Sequence, residues 1–418
     1  MIRRFCESHG LRGQGWAILG ADHARTDATS DDWKLYQQRG VLVKFRQSIM
    51  WSLIGTALCV CSPLFAQSIG PRAEDLAKAR LRATNFLKTS QTEDGSWATP
   101  KSPAISSLVT LALLQSGIPV NDPVIEKSLA HLETFIQADG GIYAPKSPHA
   151  NYETSISLLV LHAANKDGKY DVAIKKADQF LRHLQWGETQ QTEKSDPKFG
   201  GAGYGGPNSR PDLSNTVFFL EAIEAAGADK SDPAVQNALV FLSRCQNLES
   251  EHNTAAFASK VNDGGFIYTP AGSGSSPAGT TENGGLRSYG SMTYAGLKSM
   301  VFAGLTPDDK RVKAALEWIQ KHYTVQENPG LGDQGKFYYF HVFAKSLAVL
   351  DRDLVEDKNG QTHDWRKELA EHLFQIQQEN GAWLNNKTDR WLEGNPDLTT
   401  AFALMSLKYC EPKTVPEK

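Results

Sequence analysis

Six short glycine loops, each set between two apolar helical stretches, recur through most of this chain and restrict its fold more than any other feature. They are Asp94-Gly95-Ser96-Trp97, Asp139-Gly140-Gly141-Ile142-Tyr143, Phe199-Gly200-Gly201, Asp263-Gly264-Gly265-Phe266, Gly330-Leu331-Gly332-Asp333 and Asn380-Gly381-Ala382-Trp383. From Gly95 through Gly141, Gly201, Gly265, Gly332 and Gly381 the steps are 46, 60, 64, 67 and 49 residues, so the variation is carried by loops.

Most of the loops follow an amphipathic stretch that ends in glutamine: Phe86 with Gln91, Phe135 with Gln137, Phe180 with Gln185, Phe241 with Gln246, and Phe374 with Gln377. In the fourth unit Val235, Ala238, Leu239 and Leu242 follow the spacing of a helix with one buried face. The stretch after each loop is apolar round more of its circumference: Ile105 to Leu114, Tyr152 to Ala163, Leu213 to Ala226, Met292 to Ala303, Phe337 to Leu350, and Leu398 to Leu407. Glycine stops such as Ser116-Gly117 and Ala303-Gly304 end these helices, and Asp122-Pro123 and Asp232-Pro233 restart the next. The expected unit is outer helix, glycine loop, inner helix, stop. Six such hairpins stack into an open solenoid or close into a ring, and helices buried on both sides favour closure.

The first 70 residues read differently. Lys44 to Ala66 runs from two cations through an apolar core, Ile49 to Val60, to small residues, which is the order of an export signal cut after Ala66. A membrane anchor is the alternative, although the apolar run is shorter than a span requires and Pro63 follows it. Residues 1–43 are expected as a disordered leader or an overcalled start, 67–412 as the repeat body and 413–418 as a tail. The expected location is therefore periplasmic or extracellular. After such a cut only Cys245 and Cys410 remain, each near the end of an apolar helix, where a buried thiol is the usual outcome. A net charge of -3 gives no basic footprint, which excludes nucleic acid as an expected partner.

The aromatic, glutamine and Gly-x-Trp pattern of Phe86 to Trp97 and Phe374 to Trp383 resembles the glutamine-tryptophan (QW) motif of squalene-hopene and oxidosqualene cyclases. The loops before Asp212 look like those of protein prenyltransferase beta subunits. The resemblance spans roughly residues 75–410 and implies an all-α fold, the α/α toroid (α6/α6 barrel) of the terpenoid cyclase and prenyltransferase repeat proteins, with a cavity at the mouth of the inner ring. A glutamine that bonds backbone of the next unit under a covering tryptophan is a structural tie, so Gln91, Trp97, Gln377 and Trp383 are read as structural.

Function turns on the mouth. Squalene-hopene cyclases open the equivalent inner helix with Asp-x-Asp-Asp-Thr, and the middle aspartate protonates the polyene. Here the stretch is Asp212-Leu213-Ser214-Asn215-Thr216, so Ser214 and Asn215 replace the two acids and neither can protonate an alkene. Prenyltransferases bind zinc with Asp, Cys and His. Asp212 is present, but Ser214 stands at the Cys position and Tyr339 where the His would fall, with His341 about half a turn away, so no metal or other cofactor is expected and protein prenylation is disfavoured. Asp212 is the candidate catalytic group, weighed against a plain helix cap because Pro396-Asp397-Leu398-Thr399-Thr400 repeats its pattern. The candidate ligand-binding residues are Tyr204, Ser214, Asn215, Arg287, Tyr289, Tyr294, Tyr338, His341, Trp391 and Asp397. Aromatic faces can stabilise a carbocation and phenols or Arg287 can hold a polar head. The expected partner is an apolar small molecule such as an isoprenoid, bound or converted as in terpenoid cyclases. The alternatives are a non-catalytic envelope protein holding a glycan or a protein loop, with membrane-surface association open. Thr269 to Gly285 is expected as an unstructured flap.

Overall fold

The computed structural model describes residues 67–205 and 209–415; the expected leader and export signal lie outside the described residues. The described part is helix-dominated, with thirteen α-helices and four short strands. The first helices of the units are α1 (Ala73–Ser90), α3 (Pro123–Glu133), α5 (Asp171–Leu184), α7 (Pro233–Cys245), α10 (Lys310–His322) and α12 (Trp365–Ile376). The second helices are α2 (Ala104–Gln115), α4 (Ala150–Ala164), α6 (Leu213–Ala225), α9 (Gly290–Phe302), α11 (Lys336–Val349) and α13 (Pro396–Lys408). They differ from the spans expected from sequence by no more than two residues at either end. A single extra turn, α8 (Ala258–Val261), sits in the long fourth loop.

The two helix types bury different fractions of themselves, as their sequences require. In α5 only Ile174, Ala177 and Leu181 are buried, a narrow stripe at helical spacing. In α13 every residue from Asp397 to Leu407 is buried. Each second helix packs on the next, α2 on α4, α4 on α6, α6 on α9, α9 on α11 and α11 on α13, and α13 packs on α2. The first helices lie outside this row, and α12 meets α1.

Ties between units repeat. The side-chain amide of Gln91 donates to Gly95 O in its own loop and to Val124 O in the first turn of the next first helix. Gln185 does the same to Gly200 O and Ala234 O, and Gln246 to Gly264 O and Arg311 O. Gln377 bonds Gly381 O and, across the chain ends, Ala79 O. The indole N–H groups of Trp97 and Trp383 donate to Leu87 O and Leu373 O, both at 2.8 Å.

A second tie carries no obvious sequence signal. A loop N–H two residues past the left-handed glycine donates to a hydroxyl near the start of the second helix. The pairs are Trp97 to Ser106, Ile142 to Thr154, Ala202 to Thr216, Phe266 to Thr293 and Trp383 to Thr400, each at 3.0 Å. The fifth unit departs from the pattern: Tyr323 follows α10 where a glutamine would stand, and the start of α11 is capped by the Glu393 carboxylate, which accepts from Phe337 N and Tyr338 N.

Replacing fully buried Gln246 with Leu removes the one donor that links Gly264 O to Arg311 O. Gln246→Leu is expected to cost about 2 kcal/mol in urea unfolding, and a change below about 0.5 kcal/mol, the scatter of surface substitutions, would show that the glutamine tie is ornamental.

Two expectations are corrected. The end expected as a tail forms β4 (Lys413–Val415), which pairs antiparallel with β1 (Gln67–Ile69), in register Gln67 with Val415. The short hairpin of β2 (Val355–Glu356) and β3 (Thr362–His363) precedes α12. The stretch expected as a flap from Thr269 to Gly285 is held instead: Thr269 bridges Ser275, Thr280 bridges Leu286, and Leu286 packs with Phe257, Ala258 and Ile267 in a satellite core. Cys245 and Cys410 are free, buried thiols.

Candidate functional site

The glycine loops and the N-terminal ends of the second helices share one end of the row. Asp212 sits there as the cap of α6, almost wholly buried. Its Oδ1 accepts from Asn215 N at 2.9 Å and from Ser214 Oγ at 2.7 Å, and its Oδ2 accepts from Asn215 Nδ2 at 2.8 Å. Burial lifts the Asp212 carboxyl above its ordinary value, against these donors and the phenol of Tyr268. Thr269 Oγ1 donates to Pro211 O and Leu213 N donates to Tyr268 O, so the chain around Tyr268 is fixed to the start of α6.

Phenols gather round this carboxylate. Tyr204, Tyr268 and Tyr289 are all driven above the usual phenol range, first by burial and then by neighbours that include Asp212. From Tyr204 a row of rings leads inward. Tyr204 meets Tyr152 at 6.1 Å between centroids, Tyr152 meets Phe218 at 5.3 Å, Phe218 meets Tyr338 at 6.2 Å, Tyr338 meets Phe402 at 5.7 Å, and Phe402 stacks on His341 at 6.0 Å. Tyr204 stands in the loop before α6 and the other rings come from α4, α6, α11 and α13, so the row runs across four of the second helices.

Burial pushes the phenols of Tyr152 and Tyr338 far up, yet both side chains keep accessible surface and are only half-buried. Three polar atoms among the described residues along the row, Asn215 Oδ1, Tyr338 Oη and His341 Nδ1, have no hydrogen-bond partner. Buried polar atoms are ordinarily paired, so three unpaired ones along one row of rings set this region apart.

The opposite end is charged. On α6, Ser214, Phe218 and Glu221 share a face, and on α11 Tyr338, His341 and Lys345 do, so both faces run from mouth polarity through a ring to a charge. Glu221 takes Lys298 Nζ on Oε1 at 2.5 Å and Lys345 Nζ on Oε2 at 2.8 Å. Burial opposes the charge of Glu221, but the two ammonium groups outweigh it and hold its carboxyl far below the usual range. Burial, reinforced by Lys345, holds His341 at about 3, so its imidazole is neutral.

The sequence candidates divide accordingly. Tyr204, Ser214, Asn215, Tyr289 and Tyr338 lie with Asp212, and His341 lies deeper on the same row. Four stand elsewhere. Arg287 is exposed and donates from Nε to Thr280 O, because the loop that carries it is folded on itself. Tyr294 faces Tyr339 and Phe343 between α9 and α11, on the side of the helix that packs within the core. Trp391 is 45% exposed, with the Arg390 guanidinium 4.5 Å above its ring. Asp397 accepts from Ser90 Oγ at 2.7 Å, and the cap of α13 is Asn395, not Asp397. Tyr339 is tied by its hydroxyl to Thr324 O. The sequence reasoning passed over Tyr152, Phe218, Tyr268, Phe402, Glu221, Lys298 and Lys345. A charge inside a helix that is apolar on all sides was the available signal for the last three.

No family model matches the chain, and no curated protein matches it. Similar solved structures include a protein from Actinoplanes, 14% identical, with 80% of this chain and 99% of that one covered and a TM-score of 0.48. They also include the type II terpene cyclase MstE from Scytonema without ligand, 14% identical, with 81% and 98% covered and a TM-score of 0.46. A single-residue variant of that cyclase is 12% identical, with 80% and 97% covered and a TM-score of 0.47.

Proposed function

We propose that this chain is an exported α/α toroid of the squalene-cyclase and prenyltransferase repeat type that binds an isoprenoid, or an apolar ligand of similar form, in the space between its second helices. The observation that carries it is the continuous aromatic row from Tyr204 through Tyr152, Phe218, Tyr338 and Phe402 to His341, with three unpaired polar atoms beside it. Such a lining, mostly apolar with a few placed polar groups, suits a slender hydrocarbon bearing a polar function.

Binding is favoured over acid-initiated conversion. Ser214 and Asn215 have no acidic proton to give, and both oxygens of Asp212 are engaged as acceptors in capping α6. An acid that starts a polyene reaction must instead present a free proton to the alkene. Export rests on residues 44–66; a cut after Ala66 would leave β1, and with it the pairing to β4, intact.

The test is titration of the full-length protein with geranylgeraniol and squalene, followed by intrinsic fluorescence, with extraction and mass spectrometry of the mixture. Saturable binding with recovery of unchanged lipid is expected, and Tyr338→Ala is expected to weaken it roughly tenfold, since a lost aromatic contact of this kind costs about 1.4 kcal/mol. Absence of binding to both lipids, or binding of a neutral glycan in their place, overturns the proposal. A cyclised product overturns its restriction to binding.

A further inference from the structure

The charged end of the second-helix row contains more cation than its carboxylates use. Glu221 spends one oxygen on Lys298 and the other on Lys345, so a single negative charge serves two ammonium groups. Lys408, the last residue of α13, has no carboxylate within ion-pair distance among the described residues; its ammonium lies 5.7 Å from the Tyr409 ring. Burial lowers Lys408, and the charges it senses next are those of Lys345 and Arg80, both of its own sign. Arg80 is itself paired with Glu411. The remaining acid, Glu224, is exposed and one turn from Glu221. Lys298, Lys345 and Lys408 against Glu221 and Glu224 leave one positive charge without a partner.

The negative end of a helix dipole favours lysine in the last turn, which accounts for why Lys408 is tolerated at the end of α13, and the Glu221 carboxylate accounts for Lys298 and Lys345. Neither accounts for His341. That imidazole is 6% exposed, it responds to Lys345, Glu221, Lys298 and Lys408, and its Nδ1 has no hydrogen-bond partner. It is also the last ring of the aromatic row, stacked on Phe402. One residue thus joins an apolar lining to a site with an uncompensated cation, and Lys345 and Lys408 are only half-buried, so the site is reachable from solvent.

We propose that the C-terminal ends of α6, α9, α11 and α13 form a site for a monoanionic carboxylate, with Lys345 and Lys408 supplying the charge and neutral, buried His341 standing between it and the row of rings. The natural ligand is then a terpenoid acid, its head among the lysines and its hydrocarbon along the row of rings. This deepens the binding function proposed above and rests on it for the apolar part. A single surplus charge matches a carboxylate, whereas a diphosphate would bring more negative charge than the site can neutralise. The nine residue steps from Asp212 to Glu221 span about 13.5 Å of α6, which sets the scale of chain that lies between mouth and head.

Calorimetric titration of the full chain with geranylgeranoic acid, geranylgeraniol, geranylgeranyl diphosphate and acetate tests this. The acid is expected to bind at least about tenfold more tightly than the alcohol and the diphosphate, the equivalent of one charge-assisted hydrogen bond, and acetate to compete only weakly. Lys408→Gln is expected to erase most of the preference for the acid, and Lys408→Arg to keep it; Lys345→Gln gives the same readout should Lys408→Gln fail to fold. Equal affinities for acid and alcohol overturn the carboxylate site and leave the lipid-binding function standing. Tightest binding by the diphosphate overturns the monoanion assignment. Strong Lys408-dependent binding of acetate with no lipid binding overturns both.

Discussion

Gly200→Ala is expected to destabilise the protein by about 3 kcal/mol or more, while Gly227→Ala costs only about 1 kcal/mol. Both glycines hold left-handed backbone, with φ of 83° and 110°. A Cβ at Gly227 would meet nothing within 4 Å, so its cost is conformational alone. At Gly200 the same Cβ would overlap the main-chain carbonyl of Asn237 in α7, the first helix of the following unit, and backbone has no rotamer by which to move away. Gly95, Gly264 and Gly381 make the corresponding approach to the backbone at Lys127, Ala314 and Arg82, so the contact is a general joint between units. Chemical denaturation of the two variants beside the parent protein measures the difference. Equal losses would mean that the close approach is not required and that these glycines serve only their own turns.

That joint illustrates what the sequence could and could not disclose. The glycines announced loops because no other residue takes left-handed backbone so readily, and the hydrophobic stripes announced helices because their period is local. Asp122 and Asp232 were legible as caps for the same reason, and each accepts from the amide two residues on. The partner of Gly200 was not legible, since Asn237 is brought to it only by the stacking of one unit on the next. The fifth unit was hidden more deeply, because Glu393 caps α11 from 55 residues away and no local pattern marks it. At the site, Asp212 with Ser214 and Asn215 could be read from a short motif. Tyr152, Phe218 and Phe402 could not, because a helix apolar all round does not state which of its faces looks inward. The same ambiguity misplaced Tyr294, which is buried on the face of α9 toward α11.

Stability is expected to fall as pH drops from about 6.5 toward 3, and to fall less in His341→Phe. The folded His341 titrates at about 3, below the ordinary value of 6.5, because burial and then the Lys345 ammonium oppose its charging. A group depressed in this way adds stability that is complete above its unfolded value and disappears as pH falls to the folded one, since the unfolded chain takes up the proton first. At pH 4 the loss from this residue amounts to about 3 kcal/mol. Glu221 acts in the same direction at lower pH: its carboxyl is also held below its ordinary value, so its contribution is present above that value and fades as acid protonates it. The neighbouring Lys298 and Lys408 side chains add to this opposition to charging His341. Phenylalanine fills the ring position against Phe402 and cannot be protonated, so urea unfolding of parent and variant should agree within about 1 kcal/mol at pH 7 and separate in favour of the variant by about 3 kcal/mol at pH 4. Parallel losses in the two proteins would place the acid sensitivity elsewhere and would mean that the imidazole is hydrated and free to charge, which would also remove it as the dry junction between the aromatic row and the lysines.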